Sequence, residues 1–177
     1  VLLTFRPARP DEANKLADLA SRTFPLACPE DLPRQAIDEF IRTNLGVDSF
    51  RRHLADPTHV VICGSDPRGR VRGYALLVDG TAADDDCAHL IRARPTAGIS
   101  KFYLDVELHG SGNASRLLET IVQSATSRGA ASLWLATNVN NTRARTFYDR
   151  NGFVRRGTRV FLVGGRANDD VVYERPL

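Results

Sequence analysis

The chain has 177 residues, 42% hydrophobic and 25% charged, which points to one globular domain with a core of its own. Its formal net charge of +3 leaves room for an anionic ligand but falls short of the concentrated basic face of a nucleic-acid binder. Cys28, Cys63 and Cys87 are odd in number and widely spaced, so they make neither a disulfide framework nor a metal-ligand pattern, and a reducing cytoplasm is the expected setting.

The opening VLLTF is far too short for a signal peptide, and GYALLV (73–78) is too short for a membrane span. A short strand at the start leads through a proline-punctuated turn into a helix, with Asp11 as its N-cap and Ala13, Leu16, Leu19 and Ala20 on its apolar face. RQAIDEFIRTN (34–44) and DSFRRHLAD (48–56) read as two further helices, the second ended by Pro57. HVVICG (59–64) and RVRGYALLVDG (70–80) are β-rich runs joined by the turn-rich SDPRGR. Residues 81–97 read as an irregular polar loop, and GISKFYLDV (98–106) as a strand.

The clearest helix follows: Ala114, Leu117, Leu118, Ile121, Val122 and Ala125 recur at helical spacing until Arg128–Gly129 stop it. ASLWLAT (131–137) reads as a buried strand and NTRARTFYDRNG (141–152) as a short helix closed by Gly152. FVRRGTRVFLVGG (153–165) reads as a strand pair or one bent strand, and DDVVYERPL (169–177) as a final strand. This order predicts one α/β domain around a mostly antiparallel sheet.

Between the strand ending at Leu104–Asp105 and that clearest helix stands LHGSGNASRLL (108–118), with glycines at 110 and 112. The first amides of a helix have no internal partner and carry the positive end of its dipole. Glycines remove the Cβ atoms that would hold a phosphate away from them. On this loop alone, an anion site and a turn that merely packs strand on helix fit equally. Gly-Lys-Ser/Thr is missing, which excludes a nucleotide-triphosphate loop; Ser115 stands where a dinucleotide fingerprint needs a small apolar residue, and no acidic residue ends the following strand.

Taken with NTRARTFYDRNGF (141–153), the glycine loop resembles the GCN5-related N-acetyltransferase superfamily. The matching positions are His109-Gly110-Ser111-Gly112-Asn113-Ala114, then Asn141-Thr142-Arg143-Ala144 leading to Phe147-Tyr148 and Gly152-Phe153; FRPARPDEA (5–13) is similar to the family's entrance, and the tail more loosely to a spermine/spermidine acetyltransferase-like branch. The resemblance covers essentially the whole chain, 1–177. It implies an acceptor side in 1–58, a β meander in 59–106, a cofactor-binding core in 107–152 and C-terminal strands in 153–177. It also implies helices on both faces of the sheet and a splay between strands four and five.

The resemblance further implies acetyl-coenzyme A as cosubstrate, with the backbone of Gly110, Ser111, Gly112, Asn113, Ala114 and Ser115 around its pyrophosphate. The edge Phe102, Tyr103 and Leu104 would pair with the pantetheine arm like an added strand, and Asn141 would bond the same arm. His109 departs from the usual Gln or Arg; it is read as a phosphate contact when protonated or as a solvent-facing loop residue. Asn113 stands where the family prefers an aliphatic residue. Tyr148 fits the general acid for the leaving thiolate, with core packing as its other reading and Phe147 as the better core residue of the pair.

Glutamates often found on strands four and five of the family correspond to Ser100 and Ala136, so no base is assigned; Asp105, Glu107 and His89 are reachable only through water, and the first two read as strand-end residues. Acceptor binding is expected from the helices of 11–56 and the loop 81–97. The acidic residues 84–86 with Glu30, Asp31, Asp38 and Glu39 fit either attraction of a polyamine or a solvated surface. The expected activity is acetyl transfer to a primary amine of a small molecule or peptide. A non-catalytic acyl-coenzyme A sensor is the alternative; neither nucleic acid, membrane nor metal is expected, and a homodimer is open.

Overall fold

The computed structural model describes residues 1–82 and 85–177; Asp84, first of the acidic triplet, lies outside them. In chain order the elements are β1 (Thr4–Pro7), α1 (Ala13–Thr23), α2 (Arg34–Asn44), α3 (Val47–Ala55), β2 (His59–Ser65), β3 (Val71–Asp79), β4 (Thr96–Leu104), α4 (Asn113–Ser127), β5 (Ser132–Asn138), α5 (Thr142–Arg150), β6 (Val154–Val163) and β7 (Arg166–Pro176). One seven-stranded sheet runs β1-β2-β3-β4-β5-β7-β6, with β4 and β5 parallel and the other neighbours antiparallel. Residues 153–165 hold a single strand, β6, because the turn falls at Gly164 and Gly165, whose positive φ lets the chain reverse into β7.

Alternation along β3 explains the helices on both faces. Ala75 and Leu77 pack with Leu117, Leu118 and Ile121 of α4, while Tyr74, Leu76 and Val78 pack with Leu16, Leu19 and Phe50 from α1 and α3. Leu117, Leu118 and Ile121 are at most 1% exposed, and burying each contributes on the order of 2 kcal/mol.

Asp11 is not the cap of α1. Residues Pro10–Glu12 form a single 3-10 turn, and Glu12 reaches back to accept the Arg9 amide at 2.8 Å. The same carboxylate takes both Arg6 nitrogens, at 2.9 and 2.8 Å, while its side chain is only 2% exposed. The Arg6 guanidinium holds the Glu12 carboxyl down at about 2. Because this pKa is depressed on folding, its stabilisation is full above the ordinary carboxylate range and is lost as pH falls toward 2. A shift of this size corresponds to about 3 kcal/mol. Glu12→Gln is expected to lose most of that at pH 7 and to flatten the decline in urea midpoint between pH 5 and 2.

Candidate active site

β4 carries the irregularity that opens the site. Leu76 pairs with Lys101 but Leu77 pairs with Ile99, so Ser100 is an extra, exposed residue in a β-bulge. The bulge inverts side-chain parity: Ala97 and Ile99 face α4 before it, and Leu104, an even-numbered position, faces the same way after it. Tyr103 thereby turns to the α1–α3 face. The β4–β5 ladder stops two residues earlier, after Thr96–Ser132, Ala97–Leu133 and Gly98–Trp134. Residues 99–104 and 135–138 continue as strands without pairing to each other, which is the splay.

At the mouth of the splay the glycine loop begins α4. Gly110 and Gly112 have φ of +77° and +81°, and a Cβ built on either would meet nothing within 4 Å, so the space over the bend is open. Gly112 offers no side-chain cap, and the amides of Asn113, Ala114 and Ser115 take no backbone partner among the described residues. Ser111 uses its hydroxyl to donate to Leu108 O. These features fit an anionic phosphate ligand held by main-chain nitrogens.

Asn113 is fully buried, and its side chain has a separate task. Its Oδ1 accepts the Leu3 amide at 2.9 Å, and its Nδ2 donates to Val1 O at 2.9 Å and Ser111 Oγ at 2.8 Å. The polar residue at a position the family keeps aliphatic thus ties the N-terminal segment to the glycine loop.

His109 lies half-buried against Arg143, Nδ1 to Nη1 2.6 Å. Burial, then the Arg143 charge, lowers its pKa, which disfavours the protonated phosphate contact and leaves His109 as an acceptor for Arg143. That contact joins the two sequence motifs across the splay and brings Arg143, a motif position to which the sequence assigned no role, beside the glycine loop. Asn141 caps α5, its Oδ1 accepting the Ala144 amide at 3.1 Å, which leaves its Nδ2 as a donor toward the cavity it lines.

Tyr148, not Phe147, is the core residue of the pair. Tyr148 is 6% exposed and Phe147 is partly buried, because α5 turns position 148 toward the sheet. Phe102, Phe147, Phe153 and Tyr173 surround the ring at centroid distances of 5.4–6.2 Å. Burial pushes the phenol pKa well up, so the hydroxyl stays protonated. It makes no hydrogen bond among the described residues, yet it is not sealed in as the partnerless Tyr74 hydroxyl is.

A cavity of about 680 Å³ adjoins the splay on the α1–α3 side. Ser100, Lys101, Tyr103, Ala136, Thr137 and Asn138 line it from the diverging strands. The expected helices contribute Phe24, Phe40 and His53, but no described residue of 81–97 does; the β6–β7 hairpin supplies that wall with Arg159, Phe161 and Asp170. The loop is instead pinned elsewhere, with the Arg92 and Ala93 amides donating to buried Glu174 at 3.0 and 2.8 Å. Asp105 and Glu107 are both engaged by Arg72, so they act as strand-end residues, and His89 is an exposed residue outside the cavity lining. Asp31, Asp38 and Glu39 are paired with Arg166, Arg34 and Arg42, which favours the solvated-surface reading of that acidic set.

Comparison with known proteins agrees with this geometry. The Acetyltransferase (GNAT) family profile matches residues 13–153. An uncharacterized N-acetyltransferase of Mycobacterium tuberculosis is 36% identical over 94% of this chain and 98% of its own length, and one of Mycobacterium bovis matches equally. Among solved structures, the PaiA N-acetyltransferase of Thermoplasma acidophilum, in complex with coenzyme A, superposes with TM-score 0.79 at 15% identity over all of both chains. The ribosomal-protein-S18-alanine N-acetyltransferase of Escherichia coli gives 0.69 at 15% identity over 99% and 94%. No helix among the described residues is long and apolar enough to cross a membrane. The splayed strands, the glycine bend and the matched relatives together make this chain a member of the GNAT acetyltransferase family, with acetyl-coenzyme A as its cosubstrate.

Proposed function

We propose that this chain moves the acetyl group of acetyl-coenzyme A directly to a primary amine of a small molecule or peptide. The observation that carries this reading is the splay ending in an open glycine bend, with a cavity of about 680 Å³ on one side for the acceptor. When bound, the cosubstrate supplies an activated thioester. The amides of Asn113, Ala114 and Ser115 hold the pyrophosphate, and Arg143 adds positive charge beside them. The free edge of β4 around Phe102–Leu104 orients the pantetheine arm, Asn141 Nδ2 donates to it, and a β4 amide polarises the carbonyl. Tyr148 donates to the sulfur as charge develops there. Ser100 and Ala136 offer no base, so the acceptor amine loses its proton to water in the cavity. A cytoplasmic setting suits the three unpaired cysteines.

The test is release of free thiol from acetyl-coenzyme A across a panel of polyamines, amino acids and peptides. Turnover of at least one amine well above the hydrolysis background is expected. Tight coenzyme binding with a silent panel overturns catalysis and leaves a binding module.

A further inference from the structure

The cavity has apolar walls, Phe24, Phe40 and Phe161 among them, and charged groups at two places. At its β6–β7 wall Asp170 is buried, 8% exposed, with Arg159 at 3.4 Å, and burial raises the Asp170 carboxyl pKa. At its β4–α3 end stands Lys101, which makes no hydrogen bond and meets no carboxylate among the described residues. Its neighbour His53 is no counter-charge: burial, then Lys101 itself, lowers it to about 4, so it is neutral and contacts His59 at 3.2 Å. Burial also lowers Lys101, to about 8, which leaves it mostly cationic at neutral pH. Of the other lining carboxylates, Glu39 is taken by Arg42 at 2.6 Å. A half-buried cation facing a cavity with no partner is held less favourably than one in open water. A ligand that brings an anion to that corner removes the cost; a second cation there adds to it.

We propose that the acceptor is an amine that also carries an anionic oxygen group, which pairs with Lys101 while the amine lies toward Asp170. The substrate class is then an amino acid, a short peptide with a free carboxylate or an aminoalkyl phosphate, and a polyamine is disfavoured. This rests on the acetyl-transfer reading and names the acceptor for it.

The experiment is calorimetric titration of the full chain, free and saturated with coenzyme A, with matched pairs: ornithine and putrescine, tyrosine and tyramine, phosphoethanolamine and ethanolamine. The anionic member of at least one pair is expected to bind about tenfold or more tightly, and which pair responds separates carboxylate from phosphate. Lys101→Met is expected to abolish the preference and Lys101→Arg to retain it. Lys101 is half-buried and makes no ion pair among the described residues, so its replacement leaves the fold intact, which thermal melting of both variants checks. Equal or tighter binding of the plain amines, a preference that survives Lys101→Met, or no binding of any anionic member overturns the proposal. Coenzyme A affinity and thiol release report separately on acetyl transfer.

Discussion

Tyr148→Phe is expected to lower kcat by about 100-fold or more while coenzyme A affinity stays within about threefold of the wild type. The substitution is unusually clean here. The ring that fills the aromatic cluster is kept, and the hydroxyl that is lost makes no hydrogen bond to the described protein, so stability should change by less than about 1 kcal/mol. A tyrosine that serves only as packing predicts unchanged kcat. A proton donor to the departing sulfur predicts the split, seen as a fall in kcat with an unmoved Kd in thiol-release kinetics and calorimetry. The raised phenol pKa matters to this contrast, because the wild-type hydroxyl is protonated across any practical pH range. Its loss therefore cannot be mimicked by raising pH to 9. A kcat for the variant within threefold of wild type defeats the role assigned to Tyr148.

What could be read from the amino acids was whatever local periodicity and local chemistry determine. The Leu117–Leu118–Ile121–Ala125 stripe announced α4, and Arg34–Asn44 matched its expected bounds because its apolar spacing is helical throughout. The two motifs gave the glycine bend and α5. Three features of the site were invisible for one shared reason: each depends on the partner of a strand and not on the strand's own residues. The bulge at Ser100 exists only in its register against Leu76 and Leu77. Asp170 reaches the cavity because β7 pairs with β5 through Asp170–Asn138, across thirty-one intervening residues of sequence, on the order of a hundred ångströms of extended chain. Lys101 becomes an unpaired cavity cation only because the bulge resets which face it takes. The choice between Phe147 and Tyr148 failed similarly, since adjacent helix positions are ranked by how the helix is rotated on the sheet, and Phe102, Phe153 and Tyr173 set that rotation.

Asn113→Ala is expected to destabilise the fold by about 2–4 kcal/mol, lowering Tm by roughly 5–15 °C, and to raise the KM for acetyl-coenzyme A with little change in kcat. The stability loss has a definite source. Truncation leaves the Leu3 amide without its acceptor at a position where Leu3 is 1% exposed, and it frees Val1 O and Ser111 Oγ from their donor. The kinetic split follows from where those partners sit. Ser111 lies between Gly110 and Gly112, so the Asn113 side chain is the tether that holds an otherwise uncapped bend in place before any ligand arrives. Losing the tether makes the loop pay an ordering cost at each binding event, which raises KM, whereas Tyr148, the proposed proton donor, makes no contact with the tether and kcat is expected to persist. Asn113→Leu separates the two contributions. It restores apolar volume of the kind the family uses at this position but no hydrogen bonds, so it should recover little stability if the Leu3 amide is the main loss, and most of it if volume is. A variant with unchanged melting temperature and unchanged KM removes the tether from the account, and with it the reason this chain carries asparagine at the first turn of α4.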